Sequence, residues 1–244
     1  MPSPYSLILA TDLDGTFLGG SEQQRAQFYQ QIQAKRDDLL LIFATGRSLE
    51  LIEKLYTRPN FPQPDYIIGD VGTTIYDAKT LEPVTAVQDW IAQTWNGASE
   101  RVKTMLADEP GMKLQDVNPL YRVSYHYQPQ KLQPSTLEKI KSAGFDCILS
   151  GDKYFDVMPK GISKGPTLLK LISTLNLNPD NVVTAGDTLN DSTLFQTGLK
   201  SIAVGNAEPK LVAEIQTMDN VYHSPYPGVA GIWDGLKNYR KNWV

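Results

Sequence analysis

Ser6-Leu7-Ile8-Leu9-Ala10-Thr11-Asp12-Leu13-Asp14-Gly15-Thr16 is the stretch on which the reading of the chain turns. Its first six residues form a short apolar run that stops at a carboxylate, which predicts a buried strand of a parallel sheet. Asp12 then stands at the strand tip. Asp14, two residues on, falls on the same side of an extended segment. Gly15 permits the sharp turn that aims both side chains at one point. An aspartate so placed can attack phosphorus and form an aspartyl phosphate. Its neighbour can protonate a leaving oxygen and then activate water. Taken alone, the segment also reads as a hydrated Asp-Gly turn after a strand.

The same pattern recurs on either side. Residues 21–35 have helical spacing, with Phe28, Ile32 and Leu39 facing inward. Leu39-Leu40-Leu41-Ile42-Phe43-Ala44 is a second buried strand, ending at Thr45-Gly46-Arg47. Ser48 caps a helix over 49–56, and 65–68 is a third strand. Strand and helix alternating in this way predict an α/β protein with a Rossmann-like, doubly wound parallel sheet. After Gly165 the pattern returns: a helix over 167–175, a strand over 181–185 stopping short of Asp187, a helix over 192–197, a strand over 201–204 and a last helix over 231–239.

Residues 81–160 read differently. Residues 122–127 alternate like a half-exposed strand, and 145–149 and 154–158 pair as a hairpin around Ser150-Gly151-Asp152-Lys153. Helices are expected near 91–107 and 134–143. The expectation is a core of 1–80 plus 161–244, split by an inserted α+β cap over 81–160. Glu82-Pro83 and Met158-Pro159-Lys160 would be the hinges, and two crossings close together let a cap close as a unit and exclude water.

Composition bounds the function. At ~150 residues per domain, 244 residues make one large domain or two small ones. Hydrophobic residues at 41% and charged residues at 20% are those of a globular chain, against disorder. The net charge of −4 argues against nucleic acid as a partner. No apolar run reaches the ~18 residues that would span a membrane. Met1-Pro2-Ser3-Pro4-Tyr5 carries no charged n-region or long apolar stretch of an export signal. Cys147 is the single cysteine, which rules out an internal disulfide and fits a reducing, cytoplasmic setting. A monomer is expected.

Asp12, Asp14, Thr45, Asp187 and Asp191 all fall at the C-terminal ends of expected strands, the edge where open α/β sheets bind ligands. Carboxylates gathered there repel one another without a cation. Mg²⁺ is the hard ion that takes such ligands together with phosphate oxygens. Lys164 and backbone amides near Gly15, Thr16 and Gly46 could neutralise the remaining phosphate charge. Singly, Thr45 reads equally as a helix N-cap, Lys164 as a solvated helix-start lysine and 187–191 as a polar loop.

Asp12-Leu13-Asp14-Gly15-Thr16, Ala44-Thr45-Gly46-Arg47, Ser163-Lys164-Gly165 and Gly186-Asp187-Thr188-Leu189-Asn190-Asp191 together resemble the four ordered motifs of the haloacid dehalogenase superfamily. The insertion between the second and third resembles a type C2 cap. Tyr121-Arg122-Val123-Ser124-Tyr125-His126 followed by Ser150-Gly151 is most similar to the sucrose-6-phosphate phosphatase group, which includes mannosylfructose-phosphate phosphatase. The resemblance implies roles. Asp12 is nucleophile and Mg²⁺ ligand. Asp14 is the general acid/base, with its backbone carbonyl on the metal. Thr45, Gly46, Lys164 and Asn190 hold the phosphate. Asp187 and Asp191 are metal ligands, Asp191 directly or through water. Arg47, and Gly72 in the Gly69–Thr73 loop, would line the entrance, although that loop reads equally as a hairpin turn leading to Ile75-Tyr76. Ser150, Asp152, Lys153 and Asp156 would face the sugar, although Asp152-Lys153 stands in the reverse of the group's Lys-Asp order. His126 reads more simply as a packing residue than as a cleft residue. The aromatics Trp90, Trp95, Tyr121, Tyr125 and Tyr127 read first as packing and second as sugar-stacking faces.

The implied activity is Mg²⁺-dependent hydrolysis of a small phosphorylated disaccharide or glycoside, sucrose 6-phosphate first, with a cognate sugar-phosphate synthase as a possible partner. The alternatives are a generalist Cof-type sugar-phosphate phosphatase, a phosphatase of mannosylfructose phosphate or of a glycosylated phosphoglycerate, a phosphomannomutase-like phosphotransferase, and a non-catalytic partner of a glycosyltransferase. The last would be marked by loss of an acidic motif residue, and none is lost.

Overall fold

A computed structural model describes residues 5–240. Met1–Pro4, on which the reading of the leader rests, and the last four residues assigned to the core lie outside the described residues. In chain order the elements are β1 (Leu7–Thr11), α1 (Glu22–Ala34), β2 (Leu39–Ala44), α2 (Leu49–Glu53), β3 (Tyr66–Gly69) and β4 (Thr74–Asp77). Then come α3 (Thr85–Trp95), α4 (Ser99–Met105), β5 (Met112–Leu114), β6 (Val123–Tyr127), α5 (Pro134–Ser142), β7 (Phe145–Ser150) and β8 (Tyr154–Pro159). The described residues end with α6 (Lys164–Thr174), β9 (Val182–Gly186), α7 (Ser192–Phe195), β10 (Lys200–Ala203), α8 (Pro209–Ile215), β11 (Val221–His223) and α9 (Gly228–Tyr239).

Among the described residues, eleven strands form two sheets. The larger has seven strands in the order β11-β10-β9-β1-β2-β3-β4. Every pairing is parallel except β3 with β4. β1 and β2 are buried on both faces, which is why they are unbroken apolar runs. Leu7, Leu9, Leu41 and Phe43 pack under α1 and α9 through Phe28, Ile32, Ile232 and Leu236. Ile8, Ala10, Leu40 and Ile42 pack on the other face, under α3 and α6, through Val87, Ile91, Leu168 and Leu171. The result is the doubly wound α/β layering that the alternation predicts.

The smaller sheet, order β5-β6-β8-β7, is antiparallel throughout. One face carries Val123, Tyr125, Tyr127, Phe155 and Val157 into a separate core with Trp95, Val102 and Ile140. By alternation the other face carries Ser124, His126 and Asp156. The aromatics pack as first read: Trp95, Tyr125 and Tyr127 are buried in this core, and Tyr121 touches both this core and the one under α3.

Several element boundaries differ from expectation. The single helix expected over 91–107 is two helices, because Asn96 ends α3 in a left-handed turn at φ 49° and Gly97 follows at φ 65°. α3 also starts earlier, at Thr85, and its first turns belong to the larger sheet's core. Leu39 lies in β2 rather than on the preceding helix. Ser48 stands at the N-cap of α2, but its hydroxyl makes no capping bond. The helix expected to begin at residue 167 begins at Lys164.

Candidate active site

β9, β1 and β2 are neighbours, so their C-terminal ends bring Asp187, Asp12 and Thr45 side by side. Asp12, Asp187 and Asp191, all buried, each offer an oxygen within 4.8 Å of the others. The start of α6 adds Lys164, which is fully buried. Its three N–H donors are all used: to Asp12 Oδ1 at 2.8 Å, to Asn190 Oδ1 at 2.6 Å and to Asp191 Oδ1 at 2.6 Å. Asp191 Oδ2 accepts from the backbone N–H groups of Asp187 and Thr188, each at 3.0 Å, so both its oxygens are engaged. Asp187 accepts from Thr16 Oγ1 at 2.8 Å and from Asn206 Nδ2 at 2.9 Å. Gly15 makes this approach possible. It sits at φ +82°, and a Cβ there would lie 2.1 Å from Asp187 Oδ2.

One lysine among three carboxylates leaves an excess of buried negative charge. Burial pushes the Asp12 carboxyl well above its usual range; Lys164 opposes this, and the charges of Asp191 and Asp187 add to it. Burial, and then the Asp191 charge, push Asp187 up to about 7. Burial works against the Lys164 charge, but the Asp12 and Asp191 carboxylates outweigh it and hold the ammonium above the usual lysine range. A hard donor set of carboxylate oxygens with unspent negative charge fits a divalent cation of the Mg²⁺ type.

A pH dependence follows. The Asp187 carboxyl is higher in the folded protein than its ordinary 3.8, so its contribution to stability is lost as the pH rises from about 4 through about 7. A divalent cation takes the ionised form and removes that loss. With chelator, the melting temperature is therefore expected to fall from about pH 5 to about pH 7.5. The gap to the Mg²⁺-loaded protein should widen over the same range. Parallel melting curves with and without Mg²⁺ would show that these carboxylates do not hold the cation.

Asp14 lies apart from this trio. Its carboxylate turns toward Arg47, which donates from Nε to Oδ2 at 2.7 Å and from Nη2 to Oδ1 at 2.6 Å. The expectation of four gathered carboxylates is therefore corrected to three, with the fourth held in a two-point ion pair at the mouth of the site. Thr45 is fully buried, and its hydroxyl accepts from the Arg47 backbone N–H at 3.2 Å.

A cleft of about 920 Å³ lies over these strand tips. Asp12, Asp14, Gly46, Arg47 and Asn190 line its floor, and Gln115, Arg122, Ser150, Tyr154 and Asp156 its far wall. Gly46 and Asn190 thus face the cleft with Asp12, while Ser150 and Asp156 face it from the smaller sheet. Three expected entrance or sugar residues do not. Gly72 lies beneath the site, where a Cβ would come within 2.2 Å of the Ser163 carbonyl carbon. Asp152 pairs with Lys210 of α8 at 2.6 Å, beside an adjoining cavity. Lys153 lies over the Tyr154 ring, 5.0 Å from its centroid. Asp156 is itself committed to Arg122 and Ser124. His126 packs against Tyr154 with ring centroids 5.5 Å apart. Asn206, just after β10, lies outside the four motifs, and Asp70, in the β3–β4 turn, lies in the loop expected at the entrance. Each follows a buried strand, the same signal that marks Asp12 and Asp187.

A family model described as sucrose-6F-phosphate phosphohydrolase matches residues 5–240. Over 96% of its length the chain is 38% identical to the glucosylglycerol-phosphate synthase of Pseudomonas anguilliseptica, of which it spans only 31%. It is 29% identical to the mannosylfructose-phosphate phosphatase of Agrobacterium fabrum, covering 96% of this chain and 97% of that one. The sucrose-phosphatase of Synechocystis, solved in complex with sucrose and phosphate, superposes with a TM-score of 0.87 at 25% identity, covering 96% of this chain and 98% of that one. Among the described residues no helix is long and apolar enough to cross a membrane.

Proposed function

The chain belongs to the sucrose-6F-phosphate phosphohydrolase family of haloacid dehalogenase-type phosphatases, and on that premise we propose that it removes phosphate from a phosphorylated disaccharide or glycoside with Mg²⁺ as cofactor. The observation that carries the reading is the buried Asp12, gripped by Lys164 beside Asp187 and Asp191, at the floor of a cleft walled by a second sheet. In this reading residues 81–160 form the cap that recognises the leaving group, and the rest of the chain is the catalytic core.

Lys164 holds Asp12 Oδ1 and leaves the other oxygen to attack phosphorus. The bond from phosphorus to the sugar oxygen breaks. Asp14, released from Arg47, gives that oxygen a proton. Water then attacks the phosphorus of the aspartyl phosphate, Asp14 takes its proton, and inorganic phosphate leaves with Asp12 restored. Asp12, Asp187, Asp191 and the Asp14 backbone carbonyl would hold Mg²⁺, which neutralises charge on the phosphoryl oxygens. Thr45, Gly46, Lys164 and Asn190 would orient those oxygens.

Sucrose 6-phosphate is the first substrate to test. A second reading, phosphorylated glucosylglycerol, is favoured by the 38% identity to the Pseudomonas protein, against 26% to the tobacco sucrose-phosphatase 1. Phosphate release should be measured with Mg²⁺ and with EDTA on these two, on mannosylfructose phosphate, trehalose 6-phosphate, glucose 6-phosphate and fructose 6-phosphate. The expected result is Mg²⁺-dependent release with a preference of at least about tenfold for one glycoside phosphate. A flat profile favouring the monosaccharide phosphates would instead support the generalist alternative.

A further inference from the structure

One guanidinium joins the smaller sheet to a turn of the larger. Arg122, just ahead of β6, donates from Nη2 to Asp70 Oδ1 at 2.9 Å and from Nη1 to Asp156 Oδ1 and Ser124 Oγ. The three charged side chains are nearly sealed from water, with exposures of 11% for Arg122, 9% for Asp70 and 7% for Asp156. Asp70 and Val71 both sit in the left-handed region, at φ 50° and 60°. For a β-branched residue that conformation is costly and persists only where its surroundings impose it.

Those surroundings are the phosphate site. The Asp70 N–H donates to the Arg47 carbonyl at 2.9 Å and the Val71 N–H to the Thr45 carbonyl at 3.0 Å. Gly72 lies against the backbone of Ser163 and Lys164, and the Thr167 hydroxyl donates to its carbonyl at 2.7 Å. The turn that Arg122 grips is thus pinned to the end of β2 and to the start of α6, the segments that present Thr45 and Lys164.

We propose that Arg122 is a positioning residue for glycoside phosphates: by holding Asp70 and Asp156 together it seats the cap sheet over the strand tips, so that the sugar part of the substrate is held where Asp12 and Asp14 act. The inference rests on the reading that the leaving group is a glycoside. A small aryl phosphate that never reaches the cap sheet does not need the grip.

The test compares wild type with Asp70→Asn and with Arg122→Met. Asparagine keeps the shape of Asp70 and tolerates a positive φ. Each variant is measured on the wild type's best glycoside phosphate and on p-nitrophenyl phosphate, with amide hydrogen exchange read at 70–74 and 123–127. For the glycoside phosphate, KM is expected to rise about ten- to hundredfold, since a hydrogen-bonded charge pair is lost. For p-nitrophenyl phosphate, the loss in kcat/KM should be at least about tenfold smaller than for the glycoside phosphate. Exchange should quicken in both segments together. Equal losses on both substrates would show a merely structural residue and overturn the proposal, as would unchanged KM with unchanged exchange. Wild type active on p-nitrophenyl phosphate but on no glycoside phosphate would overturn the substrate reading alone, and exchange would then decide the grip: coupled quickening of the two segments supports it, and independent behaviour removes it.

Discussion

Asp12→Asn is expected to lower kcat by about four orders of magnitude or more while leaving the fold intact, because it removes the atom that would bond to phosphorus. The substitution is nearly isosteric, and the amide oxygen can still accept from Lys164, which now lies 2.8 Å from Asp12 Oδ1. It also removes one of three like charges from a buried cluster in which burial already holds the Asp12 carboxyl above its usual range. Loss of repulsion against Asp187 and Asp191 offsets loss of the ion pair to Lys164. The melting temperature should therefore move little even as turnover vanishes. Two measurements check this: phosphate release at saturating substrate and Mg²⁺, and acid-quenched mass spectrometry for the added phosphoryl group on the peptide containing residue 12. Turnover within about tenfold of wild type would remove Asp12 as the nucleophile.

The contrast between Asp12 and Arg122 shows what can be read from one chain. β1, β2 and, apart from the buried Thr184, β9 are apolar runs because both faces of a central parallel strand are buried, and each run ends just before or at a polar motif. The motif order therefore marks the strand tips, and Asp12, Thr45 and Asp187 fall together once the sheet forms. Short edge elements leave no such trace. β5 and β11 are three residues each and largely uncovered, and no alternation can establish itself over so few positions. Pairings across the chain are equally silent. Arg47 meets Asp14 over 33 residues and Arg122 meets Asp70 over 52, and no spacing or period in the sequence marks either pairing. Asp152 and Lys153 show the converse. Their charge and their place on a hairpin tip read as sugar recognition, but neither lines the cleft over the strand tips, and Lys153 lies over the Tyr154 ring. Asp152 finds Lys210 on α8 instead.

Lys164→Met is expected to combine a large stability loss with a large rate loss, and the two can be separated. Methionine keeps the unbranched stem and all three donors are lost. Asp12 and Asp191 then lie buried with no cation among their hydrogen-bond partners, since Lys164 now donates to both. Removing one partner of a buried ion pair costs about 3–5 kcal/mol. For a chain of 244 residues this corresponds to a fall in melting temperature of roughly 6–20 °C. A divalent cation supplies positive charge to the same carboxylates, so saturating Mg²⁺ should recover part of that fall. It cannot recover the rate, because in the proposed mechanism the ammonium turns one of its donors, now on Asn190, to a phosphoryl oxygen as charge builds on it. Losing such a donor costs about 10²–10³ in kcat. Melting curves with and without Mg²⁺ and steady-state kinetics at saturating Mg²⁺ give the two readings. If Mg²⁺ restores both the melting temperature and a kcat near wild type, Lys164 only balances charge, and the phosphate must be oriented by Thr45, Asn190 and the backbone amides without it.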